Sequence, residues 1–336
     1  MTGVRLADLS AASDRATIDA FLADHPDATP FHRLEWIEAV ESSCGHKAHY
    51  LVAENGVLPL SEVRSRLFGR ALVSSGFAVG GGILAYDRET AQALAEAAWA
   101  LAGRLSCPTV ELRGGMLPEG WVRDQTTYLG FARDLADDAD AELLAIPRKQ
   151  RAEVRRALGF GLTTDIGDRD AHYAVYAESV RNLGTPVFPK SLFAAVLDAF
   201  GDDADILTVR RDGKPLASVL SLYHHGTVMP YWGGGTAKAR TWRANDLMYF
   251  ALMRHARTRG CIHFDFGRSK AGTGAAAFKR NWGFNAQPLA YATKSAGASR
   301  KVNPLDPRYS FQVKLWRKLP LTVANQLGPM IARGLG

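Results

Sequence analysis

The densest run of chemistry-bearing residues in the chain is FDFGRSKAGTGAAAFKRNWGFNAQPLAY, from Phe264 to Tyr291. It opens on a short apolar stretch carrying one carboxylate, Asp265, and passes through a tract of Gly and Ala. It then presents Phe278, Lys279, Arg280, Asn281 and Trp282 ahead of another glycine. Small residues let backbone N–H groups come close to a ligand. A Lys–Arg pair just behind them makes a place for an anion or a developing oxyanion. Arg268 and Arg280 are placed to hold phosphates or to pair with neighbouring carboxylates. The plainer reading of Lys279 is a surface lysine flanking a core Phe278 and Trp282.

Other residues bear on binding. Arg148, Arg151 and Arg155 fall at i, i+3 and i+7 after Pro147, so a helix there shows three guanidinium groups on one face. They suit phosphates of a nucleotide or RNA, or form a solvated face paired with Glu142 and Glu153. His46 with His49, and His224 with His225, lack a Cys, Asp or Glu at ligand spacing, so no metal is expected. Cys44, Cys107 and Cys261 lie far apart in no ligand or CxxC pattern, which fits a reducing compartment.

Two similar arrays of elements must position these groups. AHYLVAENGVLPLSEVRSRLFGRALVSSGFAVGGG reads as three strands running into glycines, with a turn at Asn55-Gly56. DILTVRRDGKPLASVLSLYHHGTVMPYWGGG repeats that order with Asp212-Gly213 at the turn. Each is followed by a helix-length segment and a short carboxylate-bearing strand, TVELRG in one copy and IHFDFG in the other. The pattern resembles an α/β (α+β) fold of two tandem acyl-CoA N-acyltransferase (GNAT)-like domains, each a mixed, mainly antiparallel sheet flanked by helices, and that fold is the expectation. The expected divisions are 1–145, 146–299 and a basic tail, 300–336. In this fold the central strands splay beside Tyr231 and Trp232, which are either a substrate wall or core. Asn245 and Asp246 are expected to cap a helix beginning near Leu247, and Trp242, Arg243 and Asn245 then border the cleft.

F-D-F-G-R-S, the glycine-bearing loop, F-K-x-x-W-G and the Pro-Leu-x-Tyr ending together resemble the FemAB-like superfamily. The closest likeness is to its branch associated with exosortase and PEP-CTERM exopolysaccharide systems. I-P-R-K-Q-R-A-x-V-R-R, L-G-T-P-V-F from Leu183, M-P-Y-W-G-G from Met229 and the tail L-W-R-K-L-P-L resemble the same branch. The resemblance implies tandem acyltransferase-fold domains and transfer of an acyl or aminoacyl group to an amine. Better-known members draw amino acids from aminoacyl-tRNA to extend peptidoglycan precursors. Their F-K pair lies near the transferred group, which carries over to Phe278 and Lys279. Attack of an amine on an ester or thioester carbonyl builds negative charge on oxygen, which the Lys279 ammonium would stabilise. Asp265 would take the amine's proton, or else cap the glycine loop.

Acetyl-CoA-dependent proteins of this fold carry Q/R-x-x-G-x-G/A before the central helix, where amides grip the pyrophosphate. Here that stretch is GTAKARTWRANDL. No cofactor is assigned: an aminoacyl-tRNA donor gains over acyl-CoA. The acceptor expected is a nucleotide- or lipid-linked amino sugar or peptide of an envelope or exopolysaccharide precursor. An acetyl-CoA-dependent small-molecule N-acetyltransferase and a non-catalytic membrane-associated assembly protein stay open beside it.

Most of the net charge of +7 sits beyond residue 299, where Arg300, Lys301, Arg308, Lys314, Arg317, Lys318 and Arg333 face only Asp306. The first residues lack the apolar core of a signal peptide, and no apolar run reaches spanning length. The expectation is a cytoplasmic protein, with residues 308–336 either touching the inner membrane peripherally or packed across the second domain.

Overall fold

A computed structural model describes residues 3–65, 68–297 and 310–335. Arg300, Lys301 and Arg308 of the expected basic tail lie outside the described residues. In chain order the first elements are β1 (Arg5–Leu6), α1 (Ala12–Asp24), α2 (Leu34–Cys44), β2 (Lys47–Ala53), β3 (Gly56–Ser65), β4 (Gly69–Val73), β5 (Leu84–Ala85), α3 (Arg88–Arg104), β6 (Thr109–Arg113) and β7 (Val122–Asp124). There follow β8 (Tyr128–Asp134), α4 (Ala139–Ala145), α5 (Arg148–Leu158), β9 (Thr163–Ile166), α6 (Arg169–Leu183), α7 (Lys190–Phe200), β10 (Ala204–Arg211), β11 (Lys214–His224) and β12 (Thr227–Gly235). The chain ends with α8 (Ala244–Thr258), β13 (His263–Asp265), β14 (Ser269–Lys270), α9 (Gly274–Asn281), β15 (Ala286–Pro288), β16 (Tyr291–Ser295), α10 (Ser310–Trp316) and α11 (Leu321–Ala332).

Two compact units form, each around an eight-stranded sheet. The repeat inferred from sequence appears as β2-β3-β4-α3-β6 in one unit and β10-β11-β12-α8-β13 in the other. In both, an antiparallel meander is closed by a strand parallel to its third member, at Leu72↔Val110 in the first and Thr227↔His263 in the second. The units divide at Thr126, not at the expected 145/146. Pairing decides this: β8 binds β13, β14 and β15 and so belongs to the second unit, whereas β16 binds β6 and β7 of the first. Short α4 and α5, on either side of Pro147, therefore lie inside the second unit.

The tail is not a separate part either. On α10, Val313 packs where a Cβ on Gly184 would stand, at 2.5 Å, and just past the helix Arg317 donates from Nη2 to the Leu183 carbonyl at 3.1 Å. On α11, Gly328 lies flush against Val187, which a Cβ would meet at 3.0 Å. The Leu183–Phe188 segment singled out in the sequence is thus the seat of the tail on the second unit.

Of the two turns expected, the one at Asp212-Gly213 forms as expected and the one at Asn55-Gly56 differs. Asp212 and Gly213, and His225 and Gly226, take positive φ as tight two-residue hairpins require. Asn55 does not, and Gly56 is already the first residue of β3. Its side chain is absent because a Cβ would lie 2.8 Å from Thr90 Cγ2 and 2.9 Å from the Leu84 carbonyl of β5.

Candidate active site in the second unit

Sheet geometry opens a gap in the second unit. β12 pairs with β13 only at Thr227↔His263 and Val228↔Phe264, while it continues along β11 as far as Gly235. Register slips between Leu220 and Ser221, leaving Tyr231 as the extra residue of a bulge that bends β12 away. Asp265 ends β13 at the place where the two strands have parted.

In the first unit the matching gap is stitched shut by its own chain. Ser74 N–H donates to the Glu111 carbonyl at 2.9 Å, Arg113 N–H to Ser74 Oγ at 2.8 Å, and Arg113 Nη1 to the Ala78 carbonyl at 3.1 Å. Tyr291 closes it further by donating to the Val79 carbonyl at 2.8 Å. Gly82 lies so close to the Gly114 carbonyl that no Cβ would fit. Only the second unit keeps an open splay.

Lys279 reaches from α9, whose N-terminus is capped by Thr273, to the loop that follows Asp265. Its stem is buried, and Nζ donates to the carbonyls of Gly267 and Arg268, both at 3.0 Å. The rings of Phe131 and Phe266 each lie 5.4 Å from Nζ. An ammonium has three N–H donors, so one is left for a ligand atom among the described residues. Burial lowers the Lys279 pKa to about 8, with Asp265 opposing the shift and Arg268 adding to it. The Asp265 carboxyl is pushed upward by its own burial, against the Gly267 amide and Lys279. Oδ1 accepts from Gly267 N–H at 2.8 Å, so the loop-capping role is present, and the other oxygen is left over.

The remaining sequence candidates divide sharply. Phe278 is half-buried among Tyr249, Phe266 and Trp282, lining the same region. Arg268 lies over the Tyr128 ring at 4.6 Å, and Arg280 is exposed on α9. Trp282, expected to contact substrate, is wholly buried and supports α9 from behind. Trp232 is likewise core, 4.8 Å from the Phe193 ring, whereas its neighbour Tyr231 on the bulge is only half-buried.

Asn245 and Asp246 do not cap α8. The helix starts earlier, at Ala244, with Arg243 in the left-handed conformation before it and no side-chain cap. Arg243 pairs with Glu153, and Asp246 accepts from Gln150 Nε2 at 2.6 Å. Asn245 points Oδ1 at Gly235, where a Cβ would come within 2.5 Å, and that oxygen has no hydrogen-bond partner among the described residues. Trp242 is half-buried beneath Arg211, whose guanidinium sits 3.1 Å from the ring centre.

On α5 the supposed pairings differ as well. Glu142 is buried against Arg133, and Glu153 holds Arg156 and Arg243. Arg151 turns inward, donating to the Ile146 carbonyl at 3.1 Å. Arg148 and Arg155 stay exposed without an acidic partner among the described residues.

The Gly/Ala tract is not one loop. Ser269 and Lys270 pair with β8, and Gly274 to Ala277 are already helical. Gly233 to Gly235 serve close packing: Ser179 of α6 occupies the space a Gly234 side chain would need.

Sequence reasoning missed Tyr249. Its ring packs 4.6 Å from Phe266, and burial pushes its hydroxyl pKa up to about 12. That hydroxyl reaches β12, 3.4 Å from where a Gly233 Cβ would stand, and makes no hydrogen bond among the described residues. A Tyr inside MYFALM reads as an ordinary apolar helix position, so no local signal marked it. The cysteine thiols are buried, and burial raises Cys44 to about 12, which leaves it inert. No group of three His, Cys, Asp or Glu able to hold a metal occurs among the described residues.

The segment between β12 and α8 bonds partly to itself. The amides of Ala239, Thr241, Arg243 and Ala244 donate to carbonyls within the segment. That of Ala237 donates to the Glu178 carboxylate at 2.8 Å.

A protein family described as an acetyltransferase (GNAT) domain matches residues 146–280. No curated protein matches the chain in sequence. Among solved structures, the crystal structure of FemX is similar at TM-score 0.65 and 16% identity, covering 86% of this chain and 96% of that one. The C-terminal domain of a putative lysylphosphatidylglycerol synthetase from Agrobacterium fabrum gives TM-score 0.55 at 15% identity over 84% and 91%. A tandem GNAT protein from the clavulanic acid biosynthesis pathway gives 0.54 at 16% over 88% and 100%. At these identities the likeness is one of fold, and that fold is the tandem GNAT architecture read from the repeat. The chain is an acyltransferase, and its residues 146–280, which include β12, β13 and Lys279, match a GNAT domain.

Proposed function

We propose that the enzyme moves an aminoacyl or acyl group onto an amine at the opening between β12 and β13, with the Lys279 ammonium holding the oxyanion. The observation that carries this is a buried lysine with one free donor, held at the loop that follows Asp265 at the end of β13. As the amine nitrogen bonds to the carbonyl carbon, charge gathers on its oxygen, and an ammonium in a low-dielectric setting acts on that charge strongly. Oδ2 of Asp265 is the acceptor for the amine's proton, and burial strengthens it as a base. Collapse of the intermediate expels the donor's alcohol or thiol and leaves an amide. Phe278, Tyr231 and Tyr249 wall the acyl group, while Arg268 and Arg280 meet the charged part of a substrate.

The donor is an aminoacyl ester such as aminoacyl-tRNA. Support comes from the lack of a Q/R-x-x-G-x-G/A pattern before α8 and from the exposed Arg148 and Arg155, which suit RNA phosphates. The acceptor is a nucleotide- or lipid-linked amino sugar or peptide of an envelope or exopolysaccharide precursor. That rests on the sequence resemblance to the exosortase-associated branch and on the lipid named for the synthetase neighbour. A second reading, acetyl-CoA-dependent acetylation of a small amine, is favoured by the description of the matched domain. Incubation of the protein with charged tRNAs, acyl-CoAs and nucleotide amino sugars separates the two. Consumption of the aminoacyl ester supports the first, whereas thioester consumption with the ester untouched rejects it.

Acidity provides a further check. With a pKa of about 8, Lys279 is charged at neutrality, so kcat/KM should fall as pH rises through about 8. An acceptor amine with a lower pKa keeps its own titration out of that limb, and Lys279→Arg should remove it. Activity that instead climbs through the same pH would make the neutral amine a base and overturn the oxyanion role. The stability sign is also fixed. Because the folded pKa lies below the ordinary value of 10.5, the unfolded chain binds more protons between about 8 and 10.5, and Lys279 adds to stability as pH rises across that window.

A further inference from the structure

We propose that the outward face of the C-terminal helices seats this enzyme on an anionic lipid surface. The tail is amphipathic in an unusual sense, since docking does not use up its apolar residues. Its inner face is spent on the second unit, through Val313 against Gly184, Arg317 on the Leu183 carbonyl and Gly328 against Val187. The outer face still exposes Phe311 at 73%, Leu315 at 54%, Leu327 at 43% and Val323 at 36%. Leu183, beside the Arg317 contact, is 65% exposed. Phe311 and Leu315 are one turn apart on α10, as Val323 and Leu327 are on α11, so each helix presents a short apolar stripe.

Charge selects the partner. Lys314 and Lys318 flank Leu315, are exposed, and have no acidic partner among the described residues. The sequence from Ser310 to Leu335 contains no Asp or Glu at all. Aromatic and aliphatic side chains interleaved with lysines match the boundary of a bilayer, where rings and methyls enter the acyl region and ammonium groups meet phosphates. A second copy of the chain would bring these lysines against themselves without a counter-charge. RNA would satisfy the lysines and leave the apolar stripes in water. No helix among the described residues is long and apolar enough to cross a membrane, so the contact is peripheral. The inference concerns the tail alone and stands whether or not the proposed donor is right.

The test is co-sedimentation of the full chain with phosphatidylcholine vesicles, with and without about one-third phosphatidylglycerol. Binding to the anionic vesicles is expected, weakening with salt. The pair Leu315→Glu with Leu327→Glu should reduce it roughly tenfold or more, and Lys314→Glu with Lys318→Glu should abolish the preference for anionic lipid. These side chains are exposed, so thermal unfolding should stay as in the parent. Absence of parent binding at low salt, or binding indifferent to both pairs, overturns the proposal. So does a dimer dissolved by Leu315→Glu, or RNA retention, in a protein that ignores vesicles.

Discussion

Lys279→Met should slow transfer by on the order of 10²- to 10³-fold while the protein stays folded. Methionine keeps the length and apolar character of the stem among Phe131 and Phe266, and removes the charge. Two effects on stability oppose one another. The carbonyls of Gly267 and Arg268 lose their shared donor, at about 1–3 kcal/mol for each group left without a partner. Against this, an ammonium that burial already disfavours, as its lowered pKa records, no longer needs to be desolvated. Single-turnover kinetics beside a thermal melt read both quantities. A folded Lys279→Met protein transferring at the parental rate would remove the lysine from the mechanism.

Trp282→Ala should cost about 3–5 kcal/mol of stability, within the range for emptying a large aromatic site from a core. Trp282 is completely buried and holds α9 against Tyr249, Phe266 and Phe278, with Gly283 turning the chain past Pro147 in a left-handed conformation. Trp282→Phe should recover much of the loss, because no hydrogen bond to the indole nitrogen is made among the described residues. Denaturant melts test this directly. An alanine variant within about 1 kcal/mol of the parent would show that α9 is held by other contacts. Since the same helix carries Lys279, activity should fall further than stability alone explains at temperatures where the fold persists.

Much of this was legible before any coordinates. Glycine and Asp-Gly punctuation, period-two apolar runs and matching carboxylate strands disclosed the repeat, because each has a local physical cause. The proposal that places the chemistry between Asp265 and Lys279 also starts from local composition. What escaped is what depends on partners distant in the chain. Whether Trp232 and Trp282 face substrate or core is decided by Phe193 for the first and by Tyr249 and Phe266 for the second, and no spacing rule names them. The cap predicted at Asn245 failed because Arg243 takes a left-handed conformation that nothing in its residue type favours. The boundary at 145/146 failed because a helix breaker marks the end of an element, whereas unit membership is set by strand pairing.

That pairing has a consequence for the order in which the chain becomes native during synthesis. The first unit's sheet is finished only by β16, and Thr109 of β6 meets Ser295 across 186 positions of chain. At about 5–20 residues per second, a ribosome needs roughly ten to forty seconds to supply the missing strand after β6 has emerged. During that interval β6 has an unpaired edge, and the intervening chain emerges and begins its own collapse. The first half of the gene therefore cannot yield its finished product first. The first unit is completed only after the strands of the second have been synthesised, and a chain stopped before β16 should leave an open-edged intermediate for chaperones or proteases to claim.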